Sequence, residues 1–156
     1  MDCLLRRGLS CITVLDVSGR ALARARARLG DAGAAVRWLE ADVTDTGWEI
    51  PPVDLWHDRA VFHFLTDAED RQRYISRLKA LLKPGASAVI GTFALDGPER
   101  CSGLPVSRYS SAMLGDELGP SFDLVTSVRD EHRTPSSVVQ AFQWSRFVRR
   151  PPGHDT

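Results

Sequence analysis

A chain of 156 residues, 43 % of them apolar and 26 % charged, is long enough to bury a core without help from disulfides or a metal. Lysine plus arginine equals aspartate plus glutamate at 20 each, so the formal net charge is zero, which argues against a nucleic-acid binder or a polybasic membrane anchor. Cys3, Cys11 and Cys101 form no C-x-x-C pair and no apolar run nears the length of a membrane span, so no metal and no membrane partner are expected, and a reducing cytoplasm is.

In chain order, residues 11–16 (CITVLD) are a short β-branched run ending in an acid, as a buried parallel strand reads. Ser18 is placed to cap a helix through Leu29, with Leu22, Ala25 and Leu29 on one face and Gly30 as the stop. Arg20, Arg24, Arg26 and Arg28 alternate with alanine along it and read as a solvated face. Residues 35–40 (AVRWLE) are a second strand, which makes a right-handed βαβ unit. After Pro51 and Pro52, residues 53–57 (VDLWH) are a third. Thr66 and Glu69 have the spacing of a capping box for a helix carrying Tyr74, Ile75, Leu78, Leu81 and Leu82 on one face. Lys83-Pro84-Gly85 ends it, and residues 87–94 return as a strand. Residues 97–105 are turn-rich and read as a long loop. Ser110 or Ser111 caps a short helix that Gly119-Pro120 stops. Residues 122–129 and 138–148 are two strands joined at Thr134-Pro135-Ser136, a hairpin without an intervening helix. The pattern is one α/β domain over 1–150, mostly parallel with a closing antiparallel hairpin, and a frayed tail at 151–156.

Several segments in this order resemble the class I S-adenosylmethionine-dependent methyltransferases, a Rossmann-like family with a seven-stranded sheet whose last strand is antiparallel. "VLDVS" is similar to the family's second strand, whose terminal acid binds the ribose hydroxyls. "LEADVTD" is similar to the loop after the third, where an acid accepts from the adenine amino group. "VDLWHDRAVFHFL" is similar to the fourth strand and its exit beside the transferred methyl, and "LKALLKPGASAVIGTF" to the helix, turn and fifth strand. The resemblance covers residues 4–150. One departure is large: the acidic-x-Gly-x-Gly-x-Gly loop that follows the family's first strand does not precede Cys11, and residues 2–9 read as the end of the helix that would follow it. The expectation is therefore a family member whose first strand and glycine-rich loop are missing.

The resemblance assigns S-adenosylmethionine to Asp16, Val17, Asp42, Val43 and His57, and leaves His57, Asp58 and Arg59 as weak catalytic candidates. The residues allow the same chemistry. A carboxylate accepts from both hydroxyls of a vicinal diol, which suits Asp16 to ribose, although an acid here also serves the dipole of the next helix. Asp42 could read adenine together with the Val43 N–H, or simply close its own turn. Residues 57–59 lie at the carboxyl end of a strand, where open α/β sheets bind ligands. His63, between Phe62 and Phe64, reads as a core or rim histidine rather than a base, and His132 as structural or exposed. Arg100, Cys101 and Tyr109 lie in or after the loop that could shape an acceptor site. The expected reaction is methyl transfer to a small-molecule or protein acceptor, in which alignment does most of the work. The alternative is a non-catalytic remnant that self-associates through exposed sheet edges. A nicotinamide enzyme is disfavoured, since neither Tyr74 nor Tyr109 has a lysine four residues on.

Overall fold

The β-branched run before Asp16 and the alanine-rich run after Ser18 fold as read. In the computed structural model, which describes residues 2–134 and 137–151, a short helix α1 (Asp2–Arg6) precedes strand β1 (Thr13–Asp16) and helix α2 (Gly19–Leu29). The Ser18 hydroxyl accepts from the Ala21 N–H at 3.2 Å and caps α2. Gly30, at φ +54°, ends it in a conformation that a side chain would strain. A 3-10 turn (Gly30–Ala35) leads to strand β2 (Arg37–Glu40), which pairs with β1 in parallel, Thr13 opposite Arg37 and Asp16 opposite Glu40. Leu22, Val36, Val43 and Trp48 form the apolar centre of this part. The chain divides into two units, Met1–Glu49 and Ile50–Thr156.

The second unit is built on a four-stranded sheet of order β3-β4-β8-β7. Strand β3 (Val53–Arg59) is parallel to β4 (Leu82–Phe93), and helix α3 (Ala68–Leu81) connects them. Two-residue strands β5 (Arg100–Cys101) and β6 (Leu104–Pro105) form a small hairpin inside the segment expected as a loop. Helix α4 (Ser111–Leu118), capped by the Ser110 hydroxyl, precedes β7 (Phe122–Arg133) and β8 (Val139–Arg149). Strands β7 and β8 pair antiparallel, and β8 is antiparallel to β4. Residue alternation puts Trp56, Asp58, Ala88, Ile90 and Phe147 on one face. Helices α3 and α4 cover that face with Tyr74, Leu78, Leu114 and Leu118, all fully buried.

Several details differ from the sequence reading: β1 starts at Thr13 and β2 at Arg37, two residues later than read. The cap of α3 is Asp67, not Thr66: the Asp67 carboxylate accepts from the Glu69 N–H at 2.7 Å, and Glu69 turns to Arg73 at 2.6 Å instead of reaching back. Two cap-capable residues are adjacent, and the charged one makes the stronger bond. Helix α3 stops at Leu81, before the expected Lys83-Pro84-Gly85 stop, and the next strand starts at once, because Leu82, read as helical, pairs with Val53; the register then slips so that Leu55 faces Ser87, and Gly85 takes φ +79° in the excursion. Strand β3 runs on to Arg59 and β7 to Arg133, since each keeps a partner further than its own apolar pattern lasts. Of the expected hairpin turn, Pro135 and Ser136 lie outside the described residues, as does the tail beyond Pro151.

Candidate functional site

In the first unit, the carboxyl ends of β1 and β2 are level, so Asp16 and the segment after Glu40 leave one rim. Asp16 is half-buried, and its Oδ1 accepts from the Ser18 N–H at 2.8 Å. That bond orients the carboxylate and leaves Oδ2 for another donor. The Glu40 carboxylate lies against Gly19, so closely that any Cβ there would overlap it. Helix α2 has no acid in its own first turn, and Glu40 supplies the negative charge from the neighbouring strand. Sequence reasoning missed this residue; its signal is a glycine at the first helical position beside a strand ending in Glu.

Asp42 closes its turn: Oδ1 accepts from the Thr44 N–H at 2.8 Å and from the Thr44 hydroxyl at 2.7 Å, while the Trp48 indole donates to the Asp42 carbonyl at 2.7 Å. The residue is exposed, while Val43 and Trp48 beside it are buried and hold the loop rigid. Val17 is 67 % exposed and presents its side chain to solvent.

In the second unit, strand alternation separates the three candidates of β3. His57 and Arg59 point to one side and are exposed; Asp58 points to the other and is 4 % exposed. The Asp58 carboxylate is fully engaged. Its Oδ1 accepts from the Val61 N–H at 2.9 Å, and its Oδ2 from the Phe62 N–H at 3.0 Å and the Tyr74 hydroxyl at 2.7 Å. The Tyr74 hydroxyl in turn accepts from the Trp56 indole at 2.8 Å. Burial pushes the Asp58 carboxyl up from the ordinary value and the Tyr74 phenol well up from its own. This network fixes the strand exit, where Ala60 takes φ +61° and its N–H donates to the Gly91 carbonyl at 2.8 Å. So Asp58 holds the loop and does not face solvent, and neither its partner Tyr74 nor the Trp56 indole bonded to that tyrosine was visible from sequence.

His57 packs one ring face on Trp144, centroids 5.7 Å apart. Partial burial, with the Arg59 charge adding to it, lowers its pKa and favours the neutral imidazole. His63 is a core residue as read: it is fully buried, its Nδ1 accepts from the Phe93 N–H at 3.3 Å, and burial lowers its pKa to about 4. His132 rests against Phe142.

Beyond β4, the Ser107 N–H donates to the His63 carbonyl at 2.8 Å and the Tyr109 N–H to the Phe93 carbonyl at 3.0 Å, which ties this loop to the strand end. A cavity of about 650 Å³ lies beside it, lined among others by Arg71, Leu95, Tyr109, Met113 and Glu117. Arg71 spans it, donating to Glu117 at 3.1 Å and to the Thr66 carbonyl at 2.9 Å. Tyr109 forms part of that wall with its side chain buried. Arg100 donates to the Gly103 carbonyl within its own hairpin, and Cys101 is a free, half-buried thiol. Among the described residues, no group of acids, histidines and cysteines could hold a metal, and no helix is long and apolar enough to cross a membrane.

A family model described as a methyltransferase domain matches residues 2–85. Uncharacterized methyltransferases of Mycobacterium tuberculosis and Mycobacterium bovis are 32 % identical over 89 residues, which is 57 % of this chain and 43 % of theirs; the match spans less than half the length of these relatives. The fold is that of solved methyltransferases. The N-methyltransferase NodS of Bradyrhizobium japonicum, at 20 % identity, superposes with a TM-score of 0.68 over 89 % of this chain and 73 % of its own. A Burkholderia thailandensis N1-methyltransferase, solved with 1,6-didemethyltoxoflavin and S-adenosylhomocysteine bound, is 21 % identical with a TM-score of 0.71 over 96 % of this chain and 65 % of its own.

Proposed function

This chain belongs to the methyltransferase-domain family, and from that premise we propose that it binds S-adenosylmethionine and transfers its methyl group to an acceptor, a small molecule in preference to a protein side chain. When bound, the donor supplies an electrophilic methyl on a sulfonium, whose departure leaves a neutral thioether. The observation that carries the reading is the state of Asp16. One carboxylate oxygen is fixed by the Ser18 N–H at 2.8 Å, and the other, at the rim of a parallel strand pair, has no partner among the described residues. An oriented acceptor-only group of this kind fits a ribose diol.

Asp42 contributes through its second oxygen, since Oδ1 is taken by Thr44. The Val43 N–H, held beside the buried Trp48, is the matching donor for an adenine ring nitrogen. Val17 offers an exposed apolar contact for the nucleoside. His57 and Arg59, exposed at the end of β3, serve the acceptor side, where the neutral imidazole of His57 can take a proton if the acceptor must lose one. Asp58 shapes the loop that follows Arg59. The small-molecule preference draws on the 1,6-didemethyltoxoflavin bound in the Burkholderia protein. Free thiols at Cys11 and Cys101 fit a cytoplasmic setting.

Calorimetric titration with S-adenosylhomocysteine tests the reading. The chain should bind it, and Asp16→Asn should weaken binding by roughly thirtyfold, the worth of about 2 kcal/mol for hydrogen bonds to a charged acceptor. Equal affinity for both proteins, or no binding by either, would overturn it.

A further inference from the structure

The sheet face opposite α3 and α4 carries a patch that the nucleoside contacts at Asp16 and Asp42 do not use, and that takes in His57 and Arg59. On that face Gly91 of β4 lies level with Arg59 of β3 on one side and Trp144 of β8 on the other. A Cβ at Gly91 would fall 2.7–2.8 Å from Cζ3, Cε3 and Cη2 of Trp144, so the benzo ring of the indole lies over the glycine. The glycine is what lets the ring lean inward. In that position the indole meets the His57 ring at 5.7 Å and the Phe142 ring at 6.1 Å, the latter nearly parallel at 22°. One row towards the other end of the strands, His57 is level with Val89 and with Arg146. Val128, level with Trp144 on the edge strand, is 59 % exposed.

The arrangement is an aromatic platform between two cations. Arg59 and Arg146 are exposed, and neither belongs to an ion pair among the described residues. Most other arginines of this unit are engaged: Arg71 with Glu117, Arg73 with Glu69, Arg108 with Glu99, Arg129 with Asp96 and Arg150 with Asp123. In a chain of zero net charge, two unpaired guanidiniums flanking a half-buried indole mark a local preference for negative charge. Two acids lie on this face of the edge strand: Asp130 is level with Phe142, one row beyond Trp144 and away from Arg59, and Asp123, level with Val148, is held by Arg150. Indole and imidazole faces favour a flat π-system, and guanidinium forks favour a carboxylate or phenolate. The patch also reaches the carboxyl end of β3, the side of an open α/β sheet where ligands bind.

We propose that this patch binds a planar aromatic anion, an aromatic carboxylate or phenolate, stacked on Trp144 with its negative end at Arg59 and Arg146. Its role as the methyl acceptor rests on the methyltransferase reading; its binding does not.

The test uses 2-naphthoate as probe, with 2-naphthamide (same ring, no charge) and cyclohexanecarboxylate (same charge, no π-system) as controls. Binding is followed by calorimetry and by the indole N–H resonances. The probe should bind, both controls should bind at least about tenfold more weakly, and the Trp144 resonance should shift most. Arg59→Glu, an exposed change that leaves the core intact, should lose about tenfold or more, and so should Trp144→Ala. S-adenosylhomocysteine titrated into the same samples keeps the two claims apart: its failure to bind ends the methyltransferase reading and leaves the patch standing. Equal binding of probe and controls, full affinity in Arg59→Glu, or a concentration-dependent dimer that covers Trp144 and excludes the probe would overturn the inference.

Discussion

Asp58→Asn is the most informative change to the fold around the site. The wild-type carboxylate takes three donors at 2.7–3.0 Å, and they are divided unequally: Oδ2 serves Phe62 and Tyr74, Oδ1 serves Val61. An amide has a single acceptor oxygen. With that oxygen in the Oδ2 place, two bonds survive and the new NH2 group faces the Val61 N–H, donor against donor. A hydrogen bond to a charged group contributes about 1.5–3 kcal/mol, and a stranded buried donor costs about 1–3 kcal/mol. Relief from burying a charge offsets part of that loss, so a net destabilisation of about 2 kcal/mol is expected at neutral pH. The pH dependence sets the sign test. Burial holds the folded Asp58 pKa above the ordinary value, so the folded state binds this proton more tightly than the unfolded one. Stability from that proton is present at low pH and is lost as pH rises through the folded pKa, whereas asparagine does not titrate. The difference between wild type and Asp58→Asn in urea unfolding should therefore shrink as pH rises from the ordinary carboxylate range through the raised folded pKa. Amide exchange at Val61 and Phe62 should speed up in the variant. A difference that grows with pH would refute the reasoning, because it would mean that the three donors outweigh burial.

Three further outcomes follow from the same structure. His63 is neutral in the core with a pKa near 4, against 6.5 when unfolded, so its share of stability is full above pH 6.5 and falls as pH drops towards 4; His63→Asn should flatten that part of the urea-midpoint profile, and an unchanged slope would contradict the assignment. Gly91→Val pushes branched atoms into the Trp144 ring and should destabilise by about 1–3 kcal/mol while shifting the Trp144 and His57 ring resonances together. Ser18→Ala removes the cap of α2 and should lower stability by about 1 kcal/mol by urea titration, with Ser18→Gly recovering most of it.

Much of the fold was legible because local chemistry and global order agree. Ser18 and Ser110 cap the helices they were read to cap, Gly30 and Gly119 end them, and strands alternating with helices gave the parallel part of each sheet. The misplacements are those where a distant partner decides. Leu82 is extended because Val53 lies beside it, and β7 continues past Arg129 because β8 supplies partners as far as Val139. The site follows the same division. Asp16 and its orienting Ser18 N–H are two residues apart and could be read locally. Asp58 was grouped with His57 and Arg59 because they are consecutive, yet a strand sends neighbours to opposite faces, and Tyr74, 16 residues later, claims the middle one. The Gly91–Trp144 contact joins strands whose pairing no short window of sequence contains.

The central claim is that the rim of β1 and β2 grips the nucleoside half of a sulfonium donor. Amide-resolved NMR during titration with S-adenosylhomocysteine tests it most directly. The account predicts saturable shifts concentrated at Val17, Ser18 and Val43, all lost in Asp16→Asn; shifts confined to Ile50–Thr156, or no saturable shift at all, would contradict it.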